Sequence, residues 1–126
     1  MNEAVRVIKA IRDPKEDKYQ VWYDEAQNTV FFEGSLRLNG LEDYAAISGL
    51  LEDIFKGNPK QMTLDLRKLE FLNSSGISVL ARFSIFVRKQ KSETLLKIVG
   101  AKGIPWQGKS LPNLKKLNEA IDLSYG

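Results

Sequence analysis

The chain has 126 residues, of which 43% are hydrophobic and 28% are charged, and its formal net charge is +3. That length fits one domain, since domains commonly contain ~100–150 residues. The sequence has no cysteine and no histidine, which excludes disulfides, thiolate nucleophiles, cysteine zinc sites and the Ser-His-Asp triad. We therefore expect a single domain, residues 1–126, that holds no metal and no cofactor, and any catalysis would have to use carboxylates, lysines or hydroxyls.

Membranes and nucleic acids are poor candidates for partners. No apolar run approaches the ~20 residues of a membrane-spanning helix, and the N-terminal residues lack the basic start and apolar centre of a secretory signal. The lysines are scattered along the chain, whereas nucleic-acid binders concentrate them in a stripe with aromatic residues. We expect a cytoplasmic protein that binds neither membrane nor nucleic acid.

The N-terminal region, residues 1–34, predicts β-structure. Apolar residues alternate roughly between Val5 and Ile11, which indicates a first strand, followed by a charged turn. Two further strands are predicted at Tyr19–Tyr23 and Thr29–Glu33, because both runs are rich in aromatic and β-branched residues. The residues between them have hairpin composition, and Gly34 is expected to close the second of these strands.

A long amphipathic helix is predicted next. Apolar residues across 41–55 follow the i, i+3, i+4, i+7 spacing of one helix face. Asn39 or Gly40 can cap its start, and the Gly-Asn-Pro sequence at 57–59 ends it. A short apolar strand, Met62–Leu66, and then a polar turn are expected to follow.

A second helix is predicted from Ser75 to about Gln90, preceded by the polar sequence Asn73-Ser74-Ser75-Gly76. Small hydroxyl and amide side chains at a helix start accept hydrogen bonds from the first-turn N–H groups. The same N–H groups and the positive end of the helix dipole favour a phosphate there. The sequence therefore presents two serines where a phosphorylated side chain would be well stabilised.

This second helix carries apolar residues on two sides. The side expected to face the core contains Val79, Leu80, Phe83, Phe86 and Val87. A smaller strip, Ile77, Ala81 and Ile85, falls on the other side beside Ser78 and Arg88. Two explanations stay open: a terminal segment or a neighbouring helix covers the strip, or the strip binds a partner.

The C-terminal part predicts a strand at Thr94–Gly100, a loop over 101–110, a helix from about Leu111 to Glu119 and a short strand in the tail AIDLSYG. The first strands are thus followed by helices and strands in alternation. This order predicts an α/β domain with a small mixed sheet and helices mainly on one face.

The segment from Leu64 to Leu80, LDLRKLEFLNSSGISVL, resembles the anti-sigma-factor antagonist family, the STAS domains of bacterial signalling. The family pattern is a strand like LDL, a link that contains an aromatic residue, then Asp-Ser-Ser-Gly-Leu/Ile and a helix. The resemblance extends from about Val30 to Gly100. It implies a single STAS-like domain that regulates transcription without catalysis, by binding a serine kinase that is also an anti-sigma factor.

In that family the hydroxyl residue after the aspartate is phosphorylated by the partner kinase. By position this residue is Ser74, with Ser75 as second choice and as the helix cap. The chain departs from the family at Asn73, where the family has aspartate, and at Arg37, where an acidic residue is often found. The expected partner-binding residues are Asn73, Ser75, Gly76, Ile77, Ser78, Ala81, Ile85 and Arg88.

A second pattern, from Gly103 to Ser110, fits the G-x-x-x-x-G-K-[ST] sequence of phosphate-binding loops. In such a loop Gly108, Lys109 and Ser110 would bind an anion and its metal. Only sixteen residues follow Ser110, which leaves no room for the remaining strands of a nucleotide-hydrolysing core. Two alternatives to a phosphorylation switch stay open: a nucleotide- or anion-binding protein that uses this loop, and a structural scaffold module in which Ser74 is only a helix cap.

Three further residues have simpler interpretations. Trp106 is either a core residue beneath the loop or an exposed anchor for a partner, and buried packing is commoner. Trp22 is assigned to packing. Asp65, in a predicted buried strand, is expected to accept hydrogen bonds from a nearby turn.

Overall fold

A six-stranded mixed sheet organises the part of the chain that the computed structural model describes, residues 10–12 and 18–126. The strands of this part are Ala10–Arg12 (β1), Tyr19–Asp24 (β2), Thr29–Leu36 (β3), Gln61–Leu72 (β4), Leu95–Gly100 (β5) and Asp122–Tyr125 (β6). The helices are Gly40–Asp43 (α1), Ala45–Lys56 (α2), Ser74–Gln90 (α3) and Pro105–Leu117 (α4). The strands lie in chain order, with β1–β2 and β2–β3 antiparallel and the following pairs parallel.

The helices cover one face of this sheet. Each parallel pair, β3–β4, β4–β5 and β5–β6, is joined through helical structure, and such crossovers are right-handed in nearly all proteins. Because the three crossovers move across the sheet in the same direction, their common handedness brings the helices to the same side. The predicted α/β class, with a mixed sheet and helices mainly on one face, is confirmed.

The core lies between that face and the helices. Alternate side chains of the inner strands are buried there, namely Val21, Val30, Phe32, Met62, Leu64, Leu66, Leu96 and Ile98. From α2, Phe55 meets the rings of Phe83 and Phe86 of α3 edge-on, with ring centroids 6.3 and 5.7 Å apart. Full burial of side chains of this size stabilises the fold by ~1.5–3 kcal/mol each, so these contacts fix α2 and α3 on the sheet.

Strands β3 and β4 are both longer than predicted. β3 continues past Gly34 to Leu36, and β4 runs on to Leu72 in place of the predicted polar turn. The pairing between the two strands shifts register twice, and Gly34 lies at the second shift. Gly34 has φ +91°, and a Cβ there would collide with the Lys18 carbonyl oxygen. Only glycine fits this conformation, so Gly34 bends the strand and does not end it.

Gln107 fastens α4 to the irregular part of β4. Its fully buried side chain donates through Nε2 to the carbonyls of Leu66 at 2.7 Å and Leu69 at 3.2 Å, and its Oε1 accepts from the Ala101 N–H at 2.7 Å. Trp106 Nε1 donates to the same Leu69 carbonyl at 3.0 Å. A buried polar group without partners costs ~1–3 kcal/mol, and this arrangement avoids that cost.

The helices differ from prediction in two respects. The first predicted helix is split at Tyr44, which has φ −91° and ψ 1° and separates α1 from α2. The last helix begins at Pro105 and ends at Leu117, whereas the sequence predicted a loop over 101–110 and a helix over 111–119. Proline is well suited to a first helical turn, where no N–H donor is needed.

The remaining predicted elements are close to their observed bounds. β2, α3, β5 and β6 are confirmed with small shifts at their ends. The predicted first strand is described only in its last part, since residues 5–9 lie outside the described residues, as do residues 13–17 of the charged turn. No helix of the described ranges is long and apolar enough to cross a membrane.

Candidate functional site

The start of α3 is capped by the side chain of Asn73. This residue has extended backbone, with φ −78° and ψ 176°. Its Oδ1 accepts a hydrogen bond from the Gly76 N–H at 3.0 Å, and its carbonyl accepts one from the Ile77 N–H at 2.9 Å. The capping residue is therefore Asn73, and the expectations that Ser75 caps the helix, or that Ser74 does, are wrong.

The Asn73 amide also ties two other segments to the start of α3. The Tyr44 hydroxyl donates to Asn73 Oδ1 at 2.6 Å, and Asn73 Nδ2 donates to the Leu38 carbonyl at 2.8 Å. These partners assign the orientation of the amide, because a flipped amide would set its NH₂ against the Gly76 N–H donor. The α1–α2 junction, the segment after β3 and the first turn of α3 thus meet at one side chain.

Tyr44 is the buried member of this network. The residue is 1% exposed, and this burial raises the pKa of the Tyr44 phenol, while the backbone of Leu38 lowers it in part. The phenol therefore stays neutral and can donate to Asn73 at neutral pH. A Cβ on Gly76 would collide with the Leu72 side chain and lie 2.8 Å from the Tyr44 hydroxyl oxygen, so glycine at position 76 makes room for the network.

The serines next to this cap differ in exposure. Ser74 and Ser78 are exposed, whereas Ser75 is half-buried. Within residues 18–126 the Ser74 hydroxyl has no hydrogen-bond partner. Positions 74, 78, 81 and 85 are spaced i, i+4, i+7 and i+11, which puts them on one side of α3. An exposed serine thus begins a row that contains the outer apolar residues of the helix.

The strip Ile77, Ala81 and Ile85 is partly covered. All three residues are half-buried, and Ile77 and Ala81 pack against the core. Helix α4 lies alongside α3, where Arg88 Nη1 donates to the Leu117 carbonyl at 2.9 Å and the Asn118 amide donates to the Ser84 carbonyl at 3.2 Å. The neighbouring-helix explanation accounts for part of the strip, and the rest remains accessible.

The Gly103–Ser110 sequence does not form a phosphate-binding loop. It becomes helical at Pro105, so Gly108, Lys109 and Ser110 lie inside α4 and not in a flexible loop that could wrap a phosphate. The Trp106 indole is half-buried and fixed to the Leu69 carbonyl, which makes Trp106 a packing residue. No group of acidic residues in the described ranges could hold a metal ion.

The roles of Tyr44 and Leu38 in the site were not predicted from the sequence. In the sequence, Tyr44 is one of the apolar residues of a predicted helix face. A buried tyrosine hydroxyl usually has a hydrogen-bond partner, and this rule could have prompted a search for a polar residue opposite Tyr44. The partner, Asn73, lies 29 positions away in the chain, and no sequence pattern joins them.

The family model of the STAS domain matches residues 25–104 of the chain. The match covers more than half of the sequence and includes Leu38, Tyr44, Asn73 and Gly76. The chain belongs to the STAS domain family. The resemblance drawn from the segment around Asn73 is therefore confirmed.

Solved structures show the same fold at low sequence identity. A chain in the crystal structure of the diguanylate cyclase SiaD in complex with its activator SiaC, from Pseudomonas aeruginosa, matches with TM-score 0.66 and 11% identity, over 92% of this STAS domain chain and 99% of that one. Apo-SiaC from the same organism matches with TM-score 0.64 and 13% identity, over 93% and 98%. An anti-sigma factor antagonist from Mycobacterium paratuberculosis matches with TM-score 0.56 and 18% identity, over 98% and 90%. Comparison with curated protein sequences gives no match.

Proposed function

We propose that this STAS domain is a non-enzymatic signalling regulator that binds a protein partner through the start of α3, under control of phosphorylation at Ser74. One observation carries the proposal: an exposed serine directly follows a residue that is held by five hydrogen bonds. A rigid backbone with a free hydroxyl suits a modifying enzyme, because the hydroxyl is presented without local unfolding.

Phosphorylation would change the charge of this surface sharply. A phosphoserine adds roughly −1.5 to −2 charges at neutral pH, on the same side of α3 as Ala81 and Ile85. The dipole of α3 stabilises that charge in the free domain. A partner that buries the apolar row would have to desolvate the charge, which is costly, so phosphorylation is expected to weaken the complex.

The partner class follows from the family. Resemblance to anti-sigma factor antagonists supports a serine kinase or anti-sigma-like switch protein as partner, and the likeness to SiaC, the activator of a diguanylate cyclase, supports a partner enzyme bound in the same way. Both kinds of partner are proteins, and we assign the contact to the accessible side of α3. The residues assigned to contact are Asn73, Ser75, Gly76, Ile77, Ser78, Ala81, Ile85 and Arg88.

The proposal is tested by the mass of the protein purified from its native cells. We expect a fraction that carries one phosphate, mapped by peptide sequencing to Ser74 within residues 69–82. Proteins that co-purify with the wild type should be lost with Ser74→Asp and Ile85→Asp. They should remain with Lys56→Asp, an exposed change at the end of α2.

Two results would contradict the proposal. An unmodified Ser74 under all growth conditions would remove the switch and leave a constitutive binding module. Equal recovery of partners by the wild type and Ile85→Asp would remove the α3 surface as the contact. In the scaffold alternative, Ser74→Ala changes no binding, and it costs little stability because Asn73 is the cap.

A further inference from the structure

A second candidate site lies on the sheet face that the helices leave uncovered. Trp22, Phe31 and Asp65 are neighbours in adjacent strands, in register across β2, β3 and β4. They alternate along those strands with core residues such as Leu64, so their side chains point away from the helices. A cavity of about 490 Å³ is found there, within the ~300–1,000 Å³ of small-molecule sites.

Two of the residues that line this cavity lie just past the ends of strands. Ala101 and Gly126 line one side of it, and these residues directly follow β5 and β6. The first register shift between β3 and β4 lies beside Arg67, since Phe31 pairs with Asp65 and Glu33 pairs with Lys68.

The floor of the cavity is aromatic. The rings of Trp22 and Phe31 are stacked, with centroids 4.4 Å apart and planes 19° from parallel. Glu33 Oε2 accepts a hydrogen bond from Trp22 Nε1 at 3.3 Å and holds the indole in place. Both rings are only half-buried. Because each ring covers one face of the other, a further ring can stack only on an outer face of the pair, such as the face of Phe31 turned towards β4.

The acceptor groups of the cavity are the carboxylates of Asp65 and Glu33, and each of them already accepts at least one hydrogen bond. The Asp65 carboxylate accepts hydrogen bonds from Arg67 N at 3.0 Å, from Nε at 3.0 Å and from Nη2 at 2.7 Å. Burial alone would raise the pKa of Asp65, but the bonds from Arg67 and the nearby charge of Lys68 hold it below its usual value. Asp65 is therefore ionised and paired at neutral pH, and Glu33 is engaged with the indole.

The donor groups of the cavity are not all in use. Arg67 Nη1 makes no hydrogen bond within the described residues, and the Arg67 side chain is 51% exposed. Lys68 is exposed and makes neither a hydrogen bond nor an ion pair in the same part of the chain. The unused donors of the cavity are thus cationic, and they lie beside the Trp22–Phe31 ring pair.

We propose that this cavity binds a small planar anion. The ring of the ligand stacks on the face of Phe31 that Trp22 leaves free, and its carboxylate or phosphate accepts hydrogen bonds from Arg67 Nη1 and Lys68 Nζ. The site is independent of the function proposed for Ser74, because α3 packs on the opposite face of the sheet. Ligand binding and partner binding can therefore fail separately.

The test is an NMR titration of the ¹⁵N-labelled protein with benzoate and with phenyl phosphate, and with neutral benzyl alcohol as control. Both anions should shift the Trp22 indole signal in a saturable way and leave the Trp106 indole signal unchanged. Benzyl alcohol should bind at least ~10-fold more weakly, the size of one charge-assisted hydrogen bond. The tighter of the two anions identifies the natural ligand as a carboxylate or a phosphate.

Two exposed lysines give a matched pair of variants. Lys68→Ser should weaken anion binding ~10-fold, whereas Lys109→Ser on α4 should leave it unchanged. The proposal is overturned if neither anion shifts the Trp22 signal at millimolar concentration. Equal binding of benzyl alcohol, or equal binding by the two lysine variants, would also overturn it.

Discussion

At position 73 the structure gives a reason for asparagine in place of the aspartate of the family pattern. Asn73 Nδ2 donates to the Leu38 carbonyl at 2.8 Å while Oδ1 accepts from Tyr44 and Gly76. At neutral pH an amide, unlike an ionised carboxylate, donates with one atom and accepts with the other. A carboxylate would keep the two accepted bonds but set a charged oxygen against the Leu38 carbonyl.

Asn73→Asp is therefore expected to lower the free energy of unfolding by about 1–2 kcal/mol at pH 7, since loss of a buried hydrogen bond with an unsatisfied partner outweighs the better interaction with the helix dipole. A protonated carboxyl could again donate to Leu38, so the pKa of the introduced group should be raised. The loss of stability should then shrink as the pH falls towards 4. Urea unfolding at pH 7 and pH 4 measures both effects.

Asn73→Ser is the control for this prediction. Serine retains the capping oxygen but has no second donor and no charge. Its loss of stability should not change between the two pH values. A pH-independent effect of Asn73→Asp, or no effect at all, would show that the contact with Leu38 contributes little.

At the scale of the element, two glycines in helices have opposite surroundings. Gly49 lies in the middle of α2, and a Cβ at this position would meet no atom within 4 Å. Gly76 lies in the first turn of α3, where a Cβ would collide with Leu72 and crowd Tyr44. Glycine in a helix interior costs ~1 kcal/mol of stability relative to alanine. Packing offsets this cost at Gly76, whereas nothing offsets it at Gly49.

Gly49→Ala should therefore raise the free energy of unfolding by about 0.5–1 kcal/mol, and Gly76→Ala should lower it by about 1–3 kcal/mol, as overpacking does. Thermal and urea unfolding of both variants measure the difference. Stabilisation by Gly76→Ala would mean that Leu72 and Tyr44 can move away without cost. Destabilisation by Gly49→Ala would mean that the α2 surface is not as open as the structure shows.

Elements whose signals are local were predicted well from the sequence. Periodicity located α2 and α3, and β-branched and aromatic runs located β2, β3 and β5. The errors lie where distant parts of the chain decide the structure. Strand β4 extends through residues 67–70, three of which are charged, because β3 pairs alongside them. The start of α4 at Pro105 is fixed by Gln107, which binds β4 carbonyls.

The same distinction applies to the candidate site. The polar start of α3 and the family resemblance both follow from residues close together in sequence. The network around Asn73 depends on Leu38 and Tyr44, which come from the preceding crossover. Local sequence cannot reveal such a contact, because its energy arises only once the chain has folded.

At the scale of the whole molecule, the sheet separates two surfaces of different chemistry. The helical side carries Ser74 and the partly covered apolar row of α3, and the other side carries the aromatic and cationic cavity. The central strand β4 contributes to both, since Asp65 and Arg67 lie on the open side and the strand leads into Asn73. Strand β3 also joins the two surfaces, since Phe31 and Glu33 line the cavity and the Leu36 carbonyl at its end accepts from the Asn73 N–H.

The charge composition also predicts the pH dependence of stability for the whole molecule. The chain has no histidine, so no side chain with an ordinary pKa titrates between pH 6 and 8, and the free energy of unfolding should be constant in this range. The pKa of Asp65 is lower in the folded chain than its usual value. Its contribution is therefore fully present above the unfolded pKa of ~3.9 and is lost as the pH falls through the folded value.

The free energy of unfolding should thus decline only below about pH 4. The contribution of Asp65 to this decline is modest, because its partner Arg67 is half exposed to solvent. Urea unfolding between pH 2.5 and 8, followed by tryptophan fluorescence, measures this profile. Asp65→Asn removes the titrating group, so its decline in acid should be shallower than that of the wild type. Parallel profiles for the two proteins would mean that the Asp65–Arg67 pair adds no net stability, and that the acid sensitivity of the domain arises from other carboxylates.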